Sequence, residues 1–145
     1  MTFTVYGKPQ PQGSSRAFMV KGRPVITSTN KNLKSWRQEV AITAQSALAL
    51  SGESIIARPY AVNLRVDFYF DRPQSLKKSI AENTKRPDVE KLCRGLADAL
   101  TGIAYEDDAQ INELTARKLY GSPERSEITV SSSVLNKGKE TPLWQ

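Results

Sequence analysis

The longest clean alternation of apolar and polar positions runs through AVNLRVDFYF. Val62, Leu64, Val66, Phe68 and Phe70 fall on one side, and Asn63, Arg65, Asp67 and Tyr69 on the other. A period of two predicts a strand with one buried and one wetter face. The opening TFTVY alternates over a shorter span, and INELTARKLYG and SEITVSSSVL predict two further strands. AFMV and PVIT flank KGR, which predicts a hairpin turning at Gly22. Helical spacing takes over at Leu33, Trp36, Val40, Ala44 and Ala47, with Ser28 or Thr29 as cap and Gly52 as stop. It returns at Val89, Leu92, Leu96 and Leu100, predicting a second helix from about Asp88 to Thr101 with Gly102 just beyond.

Strands and helices in this order predict a two-layer α+β domain, with about four to five strands against two main helices. A chain of 145 residues is expected to form one domain, 1–145, with no internal boundary. Three segments fall outside the periodic pattern. A basic N-terminal loop spans 8–16, where Pro, Gly, Gln and Ser predict exposed chain. A basic connection spans 71–87, with room for one helical turn and a composition that predicts disorder without a ligand. A loose tail spans 136–145.

Charge narrows the partners. The net charge is +6 and the sequence pI about 9.5, a field that attracts polyanions, nucleic acid foremost. Seven basic residues precede the first acidic one, Glu39, while Asp88, Glu90, Asp98, Glu106, Asp107, Asp108 and Glu113 crowd into 26 residues. Histidine is absent and Cys93 stands alone, which removes Ser-His-Asp chemistry, His-dependent nucleases, zinc fingers and an internal disulfide. No apolar run is long enough for a membrane span, and the N-terminus lacks a signal layout. The expected location is the cytoplasm of the host cell. Catalysis on nucleic acid would then fall to carboxylates holding a hard cation through oxygen ligands.

Asp88 and Glu90 at the start of the second helix, with Asp107 and Asp108 one loop beyond its end, could converge as such a site. The ordinary alternative is equally concrete. Asp88 is a natural helix cap, Glu90 and Arg94 have the spacing of a surface ion pair, and Asp107-Asp108 would suit a solvated turn.

The block RPDVEKL, LADALTG, AYEDDAQI resembles the core signature of the RusA family of Holliday-junction resolvases, found in bacteriophages and prophages. GKP near the start and FYFDRPQS before the connection extend the likeness through about Val130. The resemblance implies a RusA-like fold with a mixed sheet and a homodimeric, Mg²⁺-dependent endonuclease, with Mn²⁺ as a substitute. It would resolve four-way DNA junctions by paired phosphodiester hydrolysis, with no organic cofactor and no membrane.

By the same resemblance, Asp88, Glu90 and Asp108 are the metal ligands and catalytic acids, and Arg94 takes the place of a catalytic lysine. Glu90 replaces the usual Asp, and Lys91 stands at a usual Asn. Asp107 is expected to assist or orient. Lys8, Arg16, Lys77, Lys78, Lys85, Arg86 and Lys91 are the expected DNA contacts. Two other readings stay open: a non-catalytic basic DNA-binding protein, and a nuclease for other branched or flapped DNA.

Overall fold

A computed structural model describes residues 1–13, 15–28 and 30–132, giving the backbone alone for residues 15–18 and 25–28. The elements are β1 (Thr2–Tyr6), β2 (Ser15–Val20), β3 (Arg23–Ser28), α1 (Leu33–Ser51), β4 (Val62–Phe70), α2 (Val89–Leu100), β5 (Ile111–Tyr120) and β6 (Arg125–Ser132), with a 3₁₀ turn at Asp108–Gln110. Four strands form one sheet in the order β1-β6-β4-β5, and β2 and β3 form a separate hairpin. The sheet is mixed: β4 runs parallel to β5 and antiparallel to β6. A parallel pair needs a long crossover, and the crossover here carries α2. The tail 136–145 lies outside the described residues.

The alternation in β4 works as its sequence dictates. Val62, Leu64, Val66, Phe68 and Phe70 are buried against both helices, together with Phe3 and Val5 of β1 and Ile128 and Val130 of β6. From α1 come Leu33, Trp36, Val40 and Ala44, and from α2 Leu92, Leu96 and Leu100. Val89 departs from its expected place in the stripe and is exposed. The opposite sheet face is polar. There Asp67 and Arg117, paired across β4 and β5, make a two-pronged ion pair at 2.8 and 2.9 Å. The guanidinium holds the Asp67 carboxyl below its ordinary value. This contribution to stability is complete above the ordinary carboxylate range and is lost as pH falls through the lowered pKa.

Local chemistry sets the joints. Lys21 and Gly22 both take positive φ, 50° and 74°, as a two-residue hairpin turn requires. The cap of α1 is Asn32 rather than Ser28 or Thr29: Ser28 ends β3, and Thr29 lies outside the described residues. Asn30 organises that entry, accepting from the Asn32 N–H at 3.0 Å and donating to the Pro11 carbonyl at 2.7 Å.

The N-terminal loop is less exposed than its composition predicts. Pro9 is fully buried, and the Gln12 N–H donates to the Lys91 carbonyl at 2.9 Å, fastening the loop to α2. Gly95 makes that approach possible: a Cβ there would sit 3.2 Å from both the Gln10 carbonyl and Leu33. The connection 71–87 holds turns rather than a helix. Arg72 gathers them, its guanidinium donating to the carbonyls of Ile80 and Lys77 at 2.6 Å each.

Candidate active site

The chain between α2 and β5 folds back on the helix because a tyrosine pulls it there. Tyr105 is fully buried, and its hydroxyl donates to the Ala97 carbonyl at 2.8 Å. Backbone bonds join Ile56 to Ala104 and Glu106, at 2.9 and 3.3 Å. Gln110 donates its side-chain amide to the carbonyls of Ile56 and Tyr60, at 3.1 and 2.9 Å. Arg58 reaches Glu106 at 3.3 Å and Asp107 at 3.7 Å. The acidic loop is thus stapled on two sides, and Asp108 is delivered beside α2.

The result is a cleft of about 720 Å³ between α2, β5 and the N-terminal loop. Glu90, Arg94, Asp98 and Asp108 line it, with Cys93, Leu114, Ala116 and Gln12 among the other walls. That size falls within the usual range for ligand sites. Glu90, Arg94 and Asp98 are spaced i, i+4, i+8, so α2 presents them as one row. Burial pushes the Cys93 thiol up to about 11, which makes it an inert wall and not a nucleophile.

The acids differ in what holds them. Asp107 caps the 3₁₀ turn: its carboxylate accepts from the Ala109 N–H at 3.0 Å, which, with Asp108 and Arg58 nearby, keeps its pKa below the ordinary value. Asp108 is shifted the other way, by partial desolvation first and then by the neighbouring Asp107 and Asp98 carboxylates. Asp88 occupies the cap position of α2 yet makes no side-chain capping bond, so the ordinary explanation for an aspartate there does not account for its carboxylate. It pairs instead with Lys91 at 3.7 Å. No ion pair joins Glu90 to Arg94 among the described residues.

The residues named from the sequence fall into two adjoining clefts. Glu90, Arg94 and Asp108 share one cleft. Asp88 opens on the adjoining one, with Lys8, Arg86 and Lys91, and Gln12 and Gly13 form a wall common to both. No three Asp, Glu, Cys or His side chains among the described residues stand close enough to hold a metal ion as placed. Along α2 itself, Glu90 and Asp98 are about 12 Å apart. Lys77, Lys78 and Lys85 are exposed on the connection; the Arg16 side chain lies outside the described residues.

A match to the family model described as Endodeoxyribonuclease RusA spans residues 7–131. The chain belongs to the RusA endodeoxyribonuclease family. Membership implies endonuclease action on branched DNA. The chain is also 33% identical over 138 residues to Uncharacterized protein YqaN of Bacillus subtilis (strain 168), covering 88% of this chain and 93% of that protein. No helix among the described residues is long and apolar enough to cross a membrane.

Two residues at the cleft or its support were not singled out from the sequence. Asp98 was visible in the four-residue spacing after Arg94, but LADALTG reads first as an apolar stripe. Lys118 had no local signal. Its ammonium donates to the carbonyls of Lys85 and Pro87, at 2.6 and 2.9 Å, and so fixes the chain that carries Asp88. Lys118→Met strands two carbonyls, and lost bonds of this charged kind cost about 1–3 kcal/mol. The expected outcome is cutting slowed by about tenfold, as for a modest loss of positioning. Junction affinity should change by less than a factor of three, in parallel titrations of binding and rate.

Proposed function

We propose that this RusA-family chain is a divalent-metal-dependent endodeoxyribonuclease that resolves four-way DNA junctions by paired phosphodiester hydrolysis, acting as a homodimer. The observation that carries the reading is the convergence of Glu90, Arg94 and Asp108 on one open cleft. The donor chemistry fits a hard cation. Asp88, Glu90 and Asp108 offer only carboxylate oxygens, and the proton affinity of Asp108 is raised first by partial desolvation and then by the Asp107 and Asp98 carboxylates, whose charge a cation would offset. Mg²⁺, or Mn²⁺ in its place, supplies Lewis acidity toward a phosphate oxygen and a more acidic water when bound.

The protein's own groups do the rest. Arg94, exposed in the cleft and between Glu90 and Asp98 on the helix, offsets charge growing on the phosphate. A guanidinium is a poor proton donor, so the role of Arg94 is electrostatic rather than acidic. Asp107, held by its capping bond, orients Asp108. Lys8, Lys77, Lys78, Lys85, Arg86 and Lys91 grip phosphates and set position rather than sequence preference. A two-fold dimer presents two sites to the two strands cut in a junction.

A second reading, a basic DNA-binding protein without catalysis, draws support from the separation of Asp88 from Asp108 into adjoining clefts. A substrate panel separates this reading, the flap-nuclease alternative and the proposal. With Mg²⁺ present, the four-way junction is expected to be cut at least tenfold faster than a flap or linear duplex. Faster cutting of flaps would move the substrate assignment, and tight binding with no cutting of any substrate would favour the non-catalytic reading.

A further inference from the structure

The cations of the α1 entry are not there for the helix. Lys31 and Lys34 sit at its positive end, where cations are disfavoured by the dipole, Arg37 follows in the next turn, and the first turn holds no acidic residue to compensate. None of the three makes an ion pair among the described residues. They line a cleft whose other walls include Gln12 and Asp98. Asp98 also lines the carboxylate cleft, and Gln12 lines that cleft and the one holding Lys8, Arg86 and Lys91. The three depressions therefore meet at one side chain, with basic groups lining two of them and Glu90 and Asp108 lining the third.

We propose that Lys31, Lys34 and Arg37 form the second half of a DNA track. The sugar-phosphate backbone of one junction arm would run from Lys8, Arg86 and Lys91 past Gln12 to the start of α1, presenting a phosphate to the carboxylate cleft on the way. The inference rests on the nuclease reading and deepens it by naming where the substrate lies. Charge decides the occupant: cations on two sides of an acidic centre, those of the α1 entry without an ion pair among the described residues, match a regularly spaced polyanion that needs gripping on both sides of one phosphate.

The test compares wild type with Lys31→Glu/Lys34→Glu/Arg37→Glu, and with Lys34→Gln/Arg37→Gln as a milder variant. A labelled four-way junction is titrated by anisotropy at several KCl concentrations, and melting is followed in parallel. The triple variant is expected to bind at least tenfold more weakly. The slope of log affinity against log salt should fall by about 2–3, as for the loss of roughly three phosphate contacts. Its melting temperature should hold or rise, since glutamate suits a helix start. The double variant should lose about two-thirds as much slope.

Unchanged affinity and slope in both variants, against a wild type that binds, would overturn the track and leave the nuclease reading standing. Weaker binding with an unchanged slope would also overturn it. A wild type that binds no junction at any salt would remove the nuclease reading, and the track with it.

Discussion

Asp108→Asn is expected to lower junction cutting by at least about 100-fold, the scale of losing a group that stabilises a phosphoryl transition state, while junction binding stays the same or tightens. The two readouts separate because asparagine keeps the shape of the side chain and removes a negative charge from the DNA approach.

Stability gives a third readout with a definite sign. The Asp108 pKa is raised by partial desolvation, Asp107 and Asp98, so the folded state holds that proton more tightly than the unfolded chain does. Its stabilising contribution is full below the ordinary carboxylate range and is lost as pH rises through the raised value. At neutral pH the ionised group is a burden, and the variant should melt no lower than wild type. The difference should shrink on acidification. Added Mg²⁺ should then stabilise wild type, by about 1.4 kcal/mol at ten times its dissociation constant, and the variant much less. Normal cutting by the variant would remove Asp108 from the mechanism.

Arg94→Ala is the second large effect, with cutting expected to fall by about 100-fold. The guanidinium stands free in the cleft, without an ion pair among the described residues, so its loss should leave the melting temperature within a degree or two. Arg94→Lys is expected to retain or raise activity, because a compact cation still offsets phosphate charge and can also give up a proton. Single-turnover rates on a junction check both. A complete loss in the lysine variant would mean that the planar, forked geometry of the guanidinium is required.

The parts of the fold written in local periodicity were legible. The β4 alternation, the α2 stripe of Leu92, Leu96 and Leu100, and the Gly22 hairpin turn all follow from spacing within one element. Parallel pairing of β4 with β5 was not, because the partners are separated by a crossover whose path no short window records. The same limit governs the site. Glu90, Arg94 and Asp108, which line one cleft, stand in one short block of the sequence, but nothing local says that they meet.

Distance in sequence hid the rest. Lys118 acts on Lys85 and Pro87 from a strand about thirty residues away, and Tyr105, which fastens the acidic loop, reads only as an aromatic before a run of acids. Pro9 and Arg72 misled composition in one direction. A loop rich in proline or lysine was taken for free chain, yet each is tied down by a buried ring or by two backbone carbonyls. Asp98 shows a further limit: its neighbours mark a helix so strongly that the polar residue in the row was passed over.

The central claim is that carboxylates of this chain cut DNA through a shared divalent cation. The direct measurement is cleavage of a labelled four-way junction by the wild-type protein in Mg²⁺, in Mn²⁺ and in excess EDTA, with both strands resolved. Paired, symmetric nicks in either metal and none in EDTA are the predicted result. Undiminished cutting in EDTA, or firm binding with no nick under any condition, would contradict it.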